Sequence, residues 1–110
     1  LQAGAAPAVE DLLDHANRLL ESGDVAVARM LYGMAAERGS AEGALLTGVT
    51  FDPVYFERHG IRGTRPHVSK AVDWYEKAAA LGSPAAEERK NALASRPRLA
   101  AHAPQEPSLR

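Results

Sequence analysis

Residues 71–83 read AVDWYEKAAALGS, and residues 28–40 read ARMLYGMAAERGS. An offset of 43 residues, the separation of Tyr32 from Tyr75, superimposes the two stretches and also aligns an alanine pair and a closing Gly-Ser. Self-similarity of this period is typical of helical repeats, in which each unit buries its apolar face against the next. The duplicated stretch therefore predicts an all-α fold.

Upstream of the duplicated stretch, apolar residues at helical spacing predict a first helix over residues 8–22. Pro7 suits its start, and Gly23 suits its end because glycine adopts positive φ freely. A second apolar stripe follows Asp24 and stops at Gly39. Because only a Gly-Asp junction separates these two helices, they are expected to form a hairpin.

A third helix is predicted from Ala41 to Phe51, where glycines indicate close approach of a neighbouring helix. Asp52-Pro53 ends it. The segment from there to Pro66 breaks the hairpin rhythm, with a single helical turn expected at residues 54–56.

A fourth helix is predicted over residues 68–81, with Trp74 and Tyr75 pointing inward, and a fifth begins at Ser83-Pro84. We expect the fifth helix to end near Ser95, because the residue before Pro97 disfavours helical geometry. The predicted organisation is an N-terminal extension (1–7), a helical repeat domain (8–95) and a Pro-rich, disordered C-terminal tail (96–110).

The sequence resembles a known family of repeats. The stretch from Lys70 to Gly82 is similar to the K-A-x-x-W-Y-x-K-A-A-x-x-G string of the Sel-like repeat (SLR), a branch of the tetratricopeptide-like family. The first unit matches the tetratricopeptide spacing at Ala16, Leu19, Gly23, Val25, Ala28, Tyr32 and Ala35.

The resemblance implies a right-handed α-α superhelix, or solenoid, of antiparallel hairpins with about two repeat units and five helices. It also implies a concave groove that holds a protein segment, and no catalysis. The groove-lining positions would be Glu10, Leu13, Asn17 and Leu20 in the first unit, and Glu42, Leu45, Val49 and Asp52 in the second.

Two functions follow as expectations. The first is a scaffold that binds a segment of a partner protein. The alternative is a structural, oligomerisation or capping module of a larger bacterial protein, since about two units are few for an independent solenoid. A bacterial cytoplasm or periplasm is expected. No targeting segment is recognised, and the compartment stays open because the chain has no cysteine.

Composition argues against several other functions. The formal net charge of -1 provides no global attraction to nucleic acid, and no apolar run is long enough for membrane insertion. The histidines lack the spacing of a metal site, and the carboxylates of Glu10, Asp11 and Asp14 suit a helix N-terminus better than acid-base chemistry. We therefore expect a chain that has no enzymatic activity and binds no metal or cofactor.

Two further hypotheses concern basic residues. Gly60 and Gly63, with Arg58, Arg62, Arg65 and Lys70 around them, form either a plain turn or a loop that contacts an anion or an acidic peptide.

The tail at residues 96–110 combines leucines with arginines, so the tail of one molecule is a candidate ligand for the groove of another. The competing interpretation is a tail that contacts nothing.

Overall fold

The computed structural model of the chain describes residues 7–105, with the side chains described through Ser95. That part is all-helical, as predicted, with six helices and no strand. The helices are α1 (Val9–Glu21), α2 (Val25–Glu37), α3 (Ala41–Phe51), α4 (Pro53–His59), α5 (Val68–Ala80) and α6 (Ala86–Gln105). Among the described residues, no helix has the length and apolar character needed to cross a membrane.

The first two helices form the predicted hairpin. Gly23 has a φ of 92° between them, and the Asp24 carboxylate accepts a hydrogen bond from the Val27 amide at 3.4 Å, which caps α2. Ala16 of α1 packs against Ala28 and Tyr32 of α2, and all three are buried. Small residues along this seam let the helices approach closely.

Helix α3 lies between the two duplicated stretches, packing against α2 on one side and α5 on the other. A Cβ added to Gly43 would lie 2.8 Å from the Tyr32 carbonyl oxygen, and one added to Gly48 would lie 2.6 Å from Cε1 of Tyr75. The prediction that these glycines mark close helix approach is confirmed. Gly43 allows the close approach of α2, and Gly48 allows that of α5.

The prediction of five helices was wrong, because the segment after Asp52 forms α4 rather than a single turn. The Asp52 side chain accepts a hydrogen bond from the Val54 amide at 2.8 Å, and Pro53 occupies the first turn, where its missing N–H costs nothing. Gly60, at a φ of 60°, ends the helix.

The last helix is also longer than predicted. Its backbone passes Ser95 and Pro97 and continues to Gln105. The bias against helical geometry before a proline is a preference, and the neighbouring alanines, arginines and leucine favour helix. The five residues at 106–110, which belong to the predicted tail, lie outside the described residues, as do residues 1–6.

Candidate functional site: the face that carries α4

The predicted groove residues differ in exposure. Glu10, Asn17 and Glu42 are exposed, and Leu13, Leu20 and Leu45 are half-buried. Val49 and Asp52 are each only 3% exposed. The assignment of Val49 to the groove needs correction, because its side chain packs in the core. The small exposed part of Asp52 lines a hollow beside α4.

Asp52 is buried because it has internal partners. Besides capping α4, its carboxylate accepts a hydrogen bond from the Tyr75 hydroxyl at 2.6 Å. Burial, followed by this hydrogen bond and the charge of Asp52, raises the pKa of Tyr75 well above its ordinary value, and Arg89 opposes the shift weakly. Asp52 therefore joins α3, α4 and α5 through its internal hydrogen bonds.

Asn17 holds the equivalent tyrosine of the first unit. The Tyr32 hydroxyl donates to Oδ1 of Asn17 at 2.5 Å. Burial raises the pKa of Tyr32 to about 12, with smaller contributions from Tyr55, Glu42 and Glu21.

A first hollow, which we name the α1–α4 hollow, opens between the end of α1 and α4. Its volume is about 300 Å³, and it is lined by Leu20, Glu21, Gly23, Tyr55, His59 and Ile61. Tyr55 and His59 are four residues apart, so they share a face of α4, and their ring centroids lie 4.3 Å apart. The hollow combines an aromatic and aliphatic wall with one carboxylate.

A second hollow, the α4–α6 hollow, lies on another face of the same short helix. It also has a volume of about 300 Å³, and its lining is Asp52, Val54, Arg58, Ala85, Glu88, Arg89 and Ala92. Val54 and Arg58 are again four residues apart, so they face it together. Helix α4 therefore contributes a wall to both hollows.

The four basic residues predicted around the glycine loop have different surroundings. Arg58 lines the α4–α6 hollow, whereas the Nζ atom of Lys70 lies 5.6 Å from the ring centroid of Phe51. The Arg65 carbonyl oxygen accepts a hydrogen bond from Arg29, and Arg62 is exposed. Arg58 and Lys70 thus have different neighbours, and the contact of this loop with an anion or an acidic peptide stays a prediction.

Sequence analysis missed Arg29, which organises the base of this loop. Its guanidinium donates to the Thr50 carbonyl oxygen at 2.5 Å and to the Thr50 and Thr64 hydroxyls at 3.1 and 3.3 Å. It also lies 3.7 Å from the ring centroid of Phe51. Partial burial lowers its pKa, but an arginine stays charged. The available signal was a single cation within an otherwise apolar helix.

Among the side chains described, no group of histidines, aspartates and glutamates is arranged to hold a metal ion. Comparison with known proteins found no matching family, no matching curated protein and no matching solved structure. The site is therefore interpreted from its own geometry.

Proposed function

We propose that this chain is a non-catalytic scaffold that binds an extended segment of a partner protein across the face carrying α4. The observation that supports this proposal is the pair of hollows separated by α4, each about 300 Å³ in volume. Hollows of this size at the edge of a binding groove accept individual side chains of a peptide.

The proposal includes the Sel-like, tetratricopeptide-like solenoid that the sequence resembles. The packing order supports it, since α1 packs on α2, α2 on α3, α3 on α5 and α5 on α6. Each helix is thus packed on the next helix of the series, with α4 as an insertion. In solenoids, such stacking leaves one continuous surface open for ligands.

The α1–α4 hollow favours a basic and apolar residue of the ligand. Glu21 is the one carboxylate among the described residues of its wall, whereas the α4–α6 hollow carries both acidic and basic side chains. Leu20, Tyr55 and Ile61 supply apolar and aromatic surface. An arginine or lysine side chain can lay its aliphatic stem on that surface while its charge meets the carboxylate.

The experiment is a selection of random peptides displayed on phage against the purified protein, followed by titration of the enriched peptides. We expect enrichment of basic residues beside large apolar ones. Glu21→Lys and Tyr55→Ala should each weaken binding of the selected peptides at least about tenfold, a change of about 1.4 kcal/mol.

Glu76→Lys is the matched control, because Glu76 is an exposed glutamate on α5 that lines neither hollow. Circular dichroism should show unchanged helicity for all three variants. If the selected peptides bind Glu21→Lys as tightly as the original chain, the α1–α4 hollow is not the binding site.

A further inference from the structure

The outward face of α2 carries large apolar side chains that are partly exposed to water. Met30 is 59% exposed, Met34 40% and Val27 36%, and they lie at i, i+3 and i+7 on one helical stripe. Ala26 and Gly33 flank them. We name these five residues the apolar α2 face. The only charged residue between Asp24 and Glu37 is Arg29, which turns away to Thr50 and Thr64.

The duplicated stretch supplies an internal reference for this face. At the same offset, Val27 corresponds to Lys70, Met30 to Asp73 and Met34 to Lys77. Gly33 and Ala26 correspond to Glu76 and Ser69. The corresponding face of α5 is therefore polar, as expected of a helix exposed to water. An exposed face at this place in the unit thus does not require apolar residues, and the methionines of α2 need another explanation.

Gly33 is a second unexplained feature of the same face. It lies in the middle of α2, where glycine is a poor helix former, yet a Cβ added to it would meet nothing within 4 Å. In contrast, Gly43 and Gly48 are each needed by a neighbouring helix of this chain. Gly33 leaves a notch beside Met30 and Met34 that no described residue of this chain fills.

We propose that the apolar α2 face is a docking surface for a second copy of this chain, with the two α2 helices antiparallel. A two-fold axis at Met30 places Met34 of one copy level with Ala26 of the other, and Val27 level with Gly33. Met34 and Val27 of each copy then meet a small residue, so the notch at Gly33 receives a valine, and the two Met30 side chains meet at the axis. The face is complementary to itself in shape.

The charges at the two ends of the face agree with this register. Arg38 of one copy, which also donates to the Pro7 carbonyl oxygen of its own chain, comes level with Ser22 of the other, next to the carboxylates of Glu21 and Asp24. Glu37 comes level with Gly23, at the N-terminus of the partner helix, where the helix dipole favours a negative group. The parallel arrangement would instead place identical charges side by side.

The experiment is sedimentation equilibrium of the whole chain at increasing concentrations up to about 1 mM, because a contact through one helix face is small and gives a weak dimer. We expect a reversible monomer–dimer equilibrium. Met30→Lys should abolish it by placing two lysines together at the axis, and Gly33→Leu should weaken it at least about tenfold by filling the notch. Both variants should stay folded, since Met30 is mostly exposed and a Cβ at Gly33 meets no described atom within 4 Å.

Asp73→Met is the matched control, because it creates an exposed methionine at the corresponding position of α5 and should leave the dimer unchanged. A chain that stays monomeric up to about 1 mM overturns the proposal, as does a dimer that Met30→Lys leaves intact. The proposal is also overturned if the whole chain is monomeric but dimerises once residues 1–6 are removed. In that case residues 1–6 of the same chain would cover the apolar α2 face. Peptide binding by Met30→Lys should be unchanged, which separates this proposal from the proposed function.

Discussion

The two duplicated stretches bury their tyrosines in the same way but satisfy them differently. Tyr32 donates to Asn17, an exposed amide 15 residues away, whereas Tyr75 donates to Asp52, a buried carboxylate 23 residues away. The eight additional residues in the second case accommodate α4, which Asp52 also caps. The comparison shows how the second unit accommodates the inserted helix α4. The residue that accepts the tyrosine's hydrogen bond, Asp52, also caps that helix.

The largest expected effect comes from removing the acceptor of Tyr75, and the acceptor of Tyr32 is its comparison. Asp52→Ala should lower the free energy of unfolding by about 2–4 kcal/mol, because it leaves the buried Tyr75 hydroxyl without an acceptor and α4 without a cap. Asn17→Ala should cost about 1 kcal/mol or less, since water reaches the exposed position of Asn17. Urea denaturation measures both, and equal costs would remove the distinction between the two units.

Three glycines test how closely the helices of each unit approach. Gly48→Ala should lower the free energy of unfolding by about 1–3 kcal/mol, because the added methyl group would overlap the Tyr75 ring. Gly43→Ala should act similarly against the backbone of α2. Gly33→Ala is the control in open space and should stabilise the chain by about 0.5–1 kcal/mol. Thermal unfolding of dilute samples would contradict this account if all three shifted stability in one direction.

Alkaline pH distinguishes the tyrosines from the rest of the fold. The pKa values of Tyr32 and Tyr75 are raised in the folded state, so above pH 10 the unfolded chain loses these protons first. Stability should be constant below about pH 9 and fall above about pH 10, by up to about 1.4 kcal/mol per pH unit for each tyrosine. For Tyr32 the decline should stop near its folded pKa of about 12. Denaturation of Tyr32→Phe between pH 8 and 11 should give a shallower decline; an identical one would assign the pH dependence to other groups.

The smallest expected effect belongs to the surface of the second unit. Glu76 lies 3.4 Å from the Nζ atom of Lys90, and both side chains are accessible to water. Glu76→Ala should change the free energy of unfolding by less than about 0.5 kcal/mol, because exposed ion pairs contribute little. A larger loss, measured by the same urea titration, would contradict this expectation. It would show that the ion pair contributes to the packing of α6 on α5.

Sequence reasoning predicted the local elements better than their partners. The bounds of α1, α2, α3 and α5 agree with the predictions to within one or two residues, because apolar periodicity and caps are local signals. Trp74 was expected inward beside Tyr75, yet it is only half-buried, whereas Tyr75 is completely buried. Periodicity indicates a face but not how deeply each residue on that face packs.

The sequence by itself determined that the chain is helical, where its first three helices lie and that α3 needs glycines at close contacts. Only the tertiary structure decided that Asp52 accepts hydrogen bonds from α4 and α5, and that Arg29 donates hydrogen bonds to Thr50 and to the loop after α4. The physical reason is distance along the chain. Asp52 meets Tyr75 across 23 residues and Arg29 meets Thr64 across 35, and such pairs form only after the helices have packed.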